Sequence, residues 1–280
     1  MTLTARKPAR RRSEVPADVR RALSSGELES ANLIEWLIVD QVALLGTLLE
    51  QLELDAHARR VLAAARPLKR KGVMQRVTGI GALLHALTES LSLRERLRVR
   101  KAILAHRSDM VRAWGACLLC AEKHVALPER LAKMRPLAAD AHFGVREIAW
   151  AALRPHVAHE LDRALRLLEA WARDRDPNIR RFASEVTRPR GVWCEHIAVL
   201  KKDPGRAAEL LEHLRSDPSR YVRDSVGNWL NDAAKSRPDW VKTLTRRWLA
   251  ESQTQATKAI VKRATRGLRD RAGEKSRETS

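Results

Sequence analysis

A turn followed by an aliphatic residue and then a basic one recurs along the second two-thirds of this chain. The segments are SDMVRAWGACLL, HFGVREIAWAAL, DPNIRRFASEVT, SRYVRDSVGNWL and KAIVKRATRGL, with the aliphatic positions at Val111, Val145, Ile179, Val222 and Val261. They lie 34, 34, 43 and 39 residues apart. A period in that range means stacked helical pairs, each unable to bury its apolar face without its neighbour. The expected fold is therefore all-α, a HEAT-repeat-like solenoid of antiparallel helix pairs with a basic concave groove. Composition agrees: glycine is scarce at 12 of 280 residues, and 44% of the chain is hydrophobic. Such a chain suits helices and can bury a sizeable core.

Helical register separates core from surface within each repeat. Counting from the aliphatic residue, positions 0, +3, +4 and +7 share one face. They read Val145, Ile148, Ala149, Ala152; then Ile179, Phe182, Ala183, Val186; then Val222, Ser225, Val226, Trp229. The other face carries Arg146, Glu147, Trp150 and Arg154, then Arg180, Arg181, Glu185 and Arg188, then Arg223, Asn228 and Asn231. Stacking aligns these into a strip of Arg, carboxylates and small residues, with Lys262 continuing it. Trp229 falls in the core register and Trp150 in the groove register.

The charge points to the partner. Lys and Arg total 54 against 34 Asp and Glu, a net charge of +20. Such a surplus favours a polyanion, and an Arg strip can follow the phosphates of double-stranded DNA. The alternative for each Arg is an acid in a neighbouring repeat, with Glu147, Asp224 and Asp232 available.

Other features constrain the reading further. Upstream, ANLIEWLIVDQVALLGTLLEQLEL reads as a buried helix pair or one long helix. Prolines at 67, 128, 136, 155, 177, 189, 204, 218 and 238 mark expected helix ends. Residues 1–22 read as a basic flexible tail, 23–270 as the repeat domain and 271–280 as a polar tail. Cys117 and Cys120 form a CxxC inside an apolar helical run with no second metal-ligand pair, so they read as structural. No membrane span, secretory signal, nucleotide loop or Ser-His-Asp arrangement is visible, and no metal or cofactor is expected. The expected setting is the cytoplasm of a bacterium, at the nucleoid, and the expected state a monomer.

Two longer runs carry a resemblance. RRFASEVTRPRGVW, Arg180 to Trp193, and YVRDSVGNWLNDAAKSRPDWV, Tyr221 to Val241, resemble segments of the AlkC-like branch of the AlkC/AlkD superfamily of HEAT-repeat alkylpurine DNA glycosylases. The likeness runs from about Phe143 to Trp240. It implies hydrolysis of the N-glycosidic bond of a cationic purine such as 3-methyladenine or 7-methylguanine. By residue, it implies a carboxylate role for Glu185 and Asp232, an indole beside the sugar for Trp193, and phosphate or loop contacts for Arg188 and Arg190. Where the branch carries a further carboxylate before its Phe, this chain has His142, and Glu147 is the nearest replacement. Plainer alternatives remain: Glu185 as a partner of Arg181, Asp232 as a helix-end residue bonding backbone, Trp193 as a plug between repeats. Two other functions stay open, a non-catalytic binder of distorted or branched DNA and a protein-interaction scaffold.

Overall fold

A computed structural model describes residues 6–192 and 194–268. Among these the chain is all-α, and its helices fall into two units, Met1–Ala152 and Leu153–Ser280. The first contains α1 (Ala17–Ser24), α2 (Leu33–Ile38), α3 (Gln41–Gln51), α4 (Asp55–Ala65), α5 (Val73–Glu89), α6 (Leu93–Leu104), α7 (Asp109–Ala121) and α8 (Leu127–Ala138). The boundary lies within α9 (Phe143–His159). The second contains α10 (Leu161–Ala172), α11 (Pro177–Val186), α12 (Ala198–Lys202), α13 (Ala208–Glu212), α14 (Arg220–Ala234), α15 (Pro238–Glu251) and α16 (Gln255–Ala264). In the first unit α4 packs on α5, and α7 on α5, α6 and α8; in the second α11 packs on α10 and α14, and α16 on α14 and α15. This is the helical-repeat architecture that the period requires.

The apolar register is realised in the first four repeats, but Ala152 is half-buried, and in α16 the buried aliphatic is Ile260 rather than Val261. Val111, Val145, Ile179 and Val222 are buried, as are Ile148, Ala149, Phe182, Ala183, Val186, Val226 and Trp229. The long apolar run resolves into a helix pair, α2 and α3. It breaks there because Asp40 caps α3, its Oδ1 accepting from the backbone N–H of Val42 and Ala43 at 3.1 Å. Most prolines stand at helix starts, but Pro136 and Pro155 lie inside α8 and α9. Both fall near the C-terminal end of their helix, where little helix remains to disrupt. The expected N-terminal tail includes α1, whose Val19, Ala22 and Leu23 are buried. Residues 271–280 lie outside the described residues.

One corner recurs four times and explains why the pairs stack. The Arg after each aliphatic residue turns back over the preceding loop, and its Nη1 donates to the carbonyls six and five residues earlier. Arg112 reaches His106 and Arg107; Arg146 reaches Asp140 and Ala141. Arg180 reaches Asp174 and Arg175; Arg223 reaches Asp217 and Pro218. The residue six before the Arg also takes the N–H two residues on: Asp140 from His142, Asp174 from Asp176, Asp217 from Ser219, and the His106 ring from Ser108. Two of these arginines then fork onto the acid of the next corner. Arg112 binds Asp140 through Nε and Nη2 at 2.8 and 3.0 Å, and Arg180 binds Asp217 at 2.6 and 3.0 Å. A planar guanidinium matches a carboxylate in that bidentate geometry, which locks two repeats together.

Two expectations change here. Arg146, Arg180 and Arg223, read as groove contacts to phosphate, have donors committed to loop carbonyls, and Arg180 also to Asp217. Pairing with a neighbouring acid does occur: the corners use Asp140 and Asp217, and Asp232, one of the acids the sequence offered, takes Arg188. Asp224 pairs instead with Arg263 at 2.6 Å and Arg220 at 3.6 Å. The CxxC thiols pack in α7, where burial pushes Cys117 well above the ordinary thiol range and Cys120 to about 12.

Removing the Arg180 guanidinium leaves Asp217, whose side chain is 2% exposed, buried without its cation. Arg180→Ala is expected to cost about 3 kcal/mol of unfolding free energy, as breaking a buried pair generally does. An unchanged denaturant midpoint would contradict the corner. Burial, then nearby Arg107 and Arg112, lower the His106 pKa below 6.5. A base so depressed adds stability that is full above 6.5 and lost as pH falls through its folded value. The expected result is that His106→Asp, which keeps an acceptor for Ser108, removes that part of the acid sensitivity in unfolding titrations.

Candidate active site

The second unit brings together residues of the 180–192 and 221–241 stretches. Asp176 caps α11, accepting from Asn178 N–H, and Pro177 starts it with φ already set. Its apolar stripe faces the core, which leaves Glu185 near the C-terminal end. Thr187 closes the helix by donating to the carbonyls of Ala183 and Ser184. Trp229 of α14 then fixes Thr187, its indole N–H donating to the Thr187 carbonyl at 3.0 Å. Its place in the core register is thereby confirmed, and Asp232, one turn on, is held at the same level.

Arg188 joins the two carboxylates. Its Nε and Nη2 donate to Asp232 Oδ2 at 3.0 and 2.7 Å, and its Nη1 to Glu185 Oε2 at 3.2 Å. Glu185 is 2% exposed and Asp232 4%. Burial opposes the charge on Arg188, but Glu185 and Asp232 beside it raise its pKa, so the cation is retained. Glu185 also faces Arg181 at 3.5 Å, the helical pairing that the sequence left open. Among the described residues the Asp232 side chain bonds no backbone; its Oδ1 takes Lys235 Nζ at 3.2 Å, from a side chain 47% exposed. Asp232 thus has one oxygen turned to a buried guanidinium and the other toward a partly solvated ammonium.

The loop after α11 is fastened rather than loose. Arg154, expected as a DNA contact, is 2% exposed. Its guanidinium donates to the carbonyls of Val186, Arg188 and Glu195, so it holds the loop's two ends together. Burial lowers its pKa accordingly. Arg190 spans from the loop to α14, donating to the Asp232 carbonyl at 3.3 Å and Ser236 Oγ at 2.7 Å. Gly191 packs closely on Cys194: a Cβ there would stand 2.1 Å from Sγ, so any larger residue requires the thiol to rotate away. Trp193 lies outside the described residues.

Apart from Arg181, which faces Glu185, the remaining candidates do not join this cluster. Arg181 lies over the Tyr221 ring at 4.2 Å. Asn228 accepts from Arg266 at 3.4 Å, Asn231 is buried, and Lys262 is exposed on α16. Glu147 and Trp150 belong to the first unit and pair with each other, Trp150 Nε1 donating to Glu147 Oε2 at 3.0 Å. Trp150 is 5% exposed, a packed residue rather than an open groove side chain. His142 is also engaged: its Nε2 lies 2.6 Å from the Ser30 carbonyl and its Nδ1 accepts from Gly144 N–H. Sequence reasoning missed Lys235 and Ser236, which lie within the quoted run three and four residues past Asp232, one helical turn away. Among the described residues no cluster of three or more His, Cys, Asp or Glu could hold a metal.

Arg188→Ala would leave two buried carboxylates without their shared cation. The expected cost at neutral pH is about 3 kcal/mol or more. The gap from wild type should narrow as pH falls, because an uncompensated buried carboxylate takes up a proton on folding. A pH-independent gap in denaturation would contradict the bridging role.

Residues 116–268 match the family described as DNA alkylation repair enzyme. The uncharacterized protein YhaZ of Bacillus subtilis (strain 168) is 38% identical over 97 residues, 35% of this chain and 27% of that protein. Among solved structures, the Pseudomonas fluorescens alkylpurine DNA glycosylase AlkC, bound to DNA containing an abasic site analog, superposes with a TM-score of 0.66 at 28% identity. That likeness covers 82% of this chain and 62% of AlkC, so the chain spans under two-thirds of either relative. AlkD2 from Streptococcus mutans shares the fold, with a TM-score of 0.57 at 22% identity over 74% of this chain and 97% of its own. The repeat fold and the match over more than half the length place this chain in the DNA alkylation repair enzyme family.

Proposed function

We propose that this protein removes cationic alkylated purines, such as 3-methyladenine and 7-methylguanine, from duplex DNA by hydrolysing the N-glycosidic bond. The observation that carries the reading is Asp232: a buried carboxylate with one oxygen fixed by Arg188 and the other held by exposed Lys235. An alkylated purine already carries positive charge and leaves with the bonding electron pair as a neutral base. The enzyme therefore has no need to protonate it. Its work is to stabilise the positive sugar left behind until water adds at C1′ and gives up a proton to solvent. A preorganised carboxylate in a poorly solvated site supplies that stabilisation. Lys235 Nζ, 3.2 Å from Asp232 Oδ1, marks a position where a cation is favoured. Moving this long side chain into solvent opens the position to the cationic nucleoside, while Arg188 keeps Asp232 aimed.

Glu185 acts one step back. Both its oxygens face guanidinium groups, so it orients Arg188 and through it Asp232. Trp193, by the resemblance, adds an indole face to the developing charge. Glu147, in the first unit, is the residue proposed in place of the acid that His142 displaces. A second reading is favoured by one observation: His142 stands where the related branch has an acid and is bound to Ser30 instead. On that reading the protein binds distorted or branched DNA without removing bases.

Base release from methylated duplex separates the two. Wild type is expected to release methylpurines, Asp232→Asn to lose at least about a hundredfold in rate, the scale seen when one preorganised electrostatic group is removed, and Glu185→Gln to lose less. No release by wild type, with duplex binding retained, would leave the structure-binding reading. Equal rates in wild type and Asp232→Asn would remove Asp232 from the mechanism.

A further inference from the structure

The first unit contains a recess that the repair chemistry does not use. Residues Leu37 to Val42, at the corner between α2 and α3, form one side; Lys69, from the 3-10 turn Arg66–Arg70, and Arg76 of α5 form the other. Its volume of 260 Å³ is room for several waters, at roughly 30 Å³ each. Two of its lining residues keep buried donors without a partner, Gln41 Nε2 and Arg76 Nε. Gln41 is 2% exposed. Its orientation is fixed, because Trp114 Nε1 can only donate and does so to Gln41 Oε1 at 3.3 Å. The amide nitrogen is therefore the free end. Buried donors are rarely left unmatched, and a small rotation of either side chain toward the recess would bring its donor onto an acceptor there.

The acceptor is not Asp40. One of its oxygens caps α3 and the other takes Lys69 Nζ at 3.2 Å. The charges lining the recess are Lys69 and Arg76 against Asp40, a net of one positive charge. Around it the chain is basic without relief. No acid occurs between Asp55 and Glu89, while Arg59, Arg60, Arg66, Lys69, Arg70 and Lys71 are all exposed. The turn that bears Lys69 packs on α3 as well as on α4 and α5.

We propose that this recess seats one phosphate of a nucleic-acid backbone, with Gln41 Nε2, Arg76 Nε and Lys69 donating to its oxygens. A phosphodiester, with a single negative charge, balances the single positive charge of the site. The flanking arginines and lysines then meet the neighbouring phosphates, as a strand requires and a lone phosphate ion does not. This gives the first unit a DNA contact outside the residues that match the family, and it rests on the reading that the chain binds DNA.

The test is anisotropy of a short undamaged duplex across a salt series, with thermal melting to verify folding. Gln41→Glu keeps an acceptor for Trp114 but places a negative charge in the recess. Arg76→Gln removes the other orphan donor's charge and serves if the first variant fails to fold. Each is expected to weaken binding roughly tenfold and to lower the slope of log affinity against log salt by about one. Joint Arg70→Ala and Lys71→Ala should lower the slope further with no effect on melting. Wild-type affinity and slope in both recess variants would overturn the proposal and leave the repair reading intact. Failure of wild type to bind duplex would overturn both. A melting temperature that inorganic phosphate raises in wild type but not in Arg76→Gln, with duplex affinity equal in the two, would make this a free-phosphate site and overturn the nucleic-acid assignment.

Discussion

A guanidinium offers five donors in one plane, and the fold depends on how the repeat arginines spend them. At each of four corners one nitrogen ties down the loop just traversed, and at two of them the fork beside it grips the acid of the next corner. Loop carbonyls at a corner have no helical partner, and this Arg satisfies two of them at once. The same residue thus satisfies the backbone, sets the turn and joins successive repeats. Aliphatic burial supplies the bulk of the stability, but it is not directional. The direction in which one pair follows another comes from these charged corners.

That use of arginine changes where binding charge must come from. A net charge of +20 remains after the corners are built, yet the arginines on the repeat helices contribute less of it to an open surface than their spacing implies. Exposed cations lie instead on α4 and its 3-10 extension, and on Lys235, Lys262 and Arg266 of the second unit. In the second unit the buried part of the charge has another task. Glu185, Arg188 and Asp232 form an alternating row, and an alternating row fixes geometry at little net charge. Its outer end is the Asp232 oxygen that faces Lys235.

The register of α7, α9, α11 and α14 could be read directly because a helix buries one stripe, and a residue type that avoids water reports its own position. The pairing of Glu185 with Arg181 was legible for a similar reason, since neighbours four apart on a helix must meet. Contacts between helices were not. Arg180 looks the same in sequence whether it meets a phosphate or Asp217, and only the fold chooses. A signal was nonetheless present: an acid stands six residues before Arg146, Arg180 and Arg223, with His106 in that place before Arg112. Such a fixed offset belongs to a local turn motif rather than to a ligand site. Trp150 and Arg154 were misjudged because register reports a face, whereas burial depends on what covers that face. Pro136 and Pro155 misled as helix ends because a helix already packed on its neighbours can carry proline near its terminus.

The account turns on whether the corner arginines serve the fold or the DNA. The most direct measurement compares Arg180→Met with the double variant Arg180→Met/Asp217→Leu, recording both unfolding free energy and duplex affinity. An ion pair replaced on both sides by apolar groups often loses little stability, whereas removal of one side alone strands a charge. The corner predicts that the single variant is destabilised, that the double variant recovers the part due to the stranded charge while the bonds to the Asp174 and Arg175 carbonyls and from Ser219 stay broken, and that the double variant binds duplex as wild type does. A double variant that is equally stable but binds duplex an order of magnitude more weakly would show that Arg180 faces phosphate, and the corner assignment would fail.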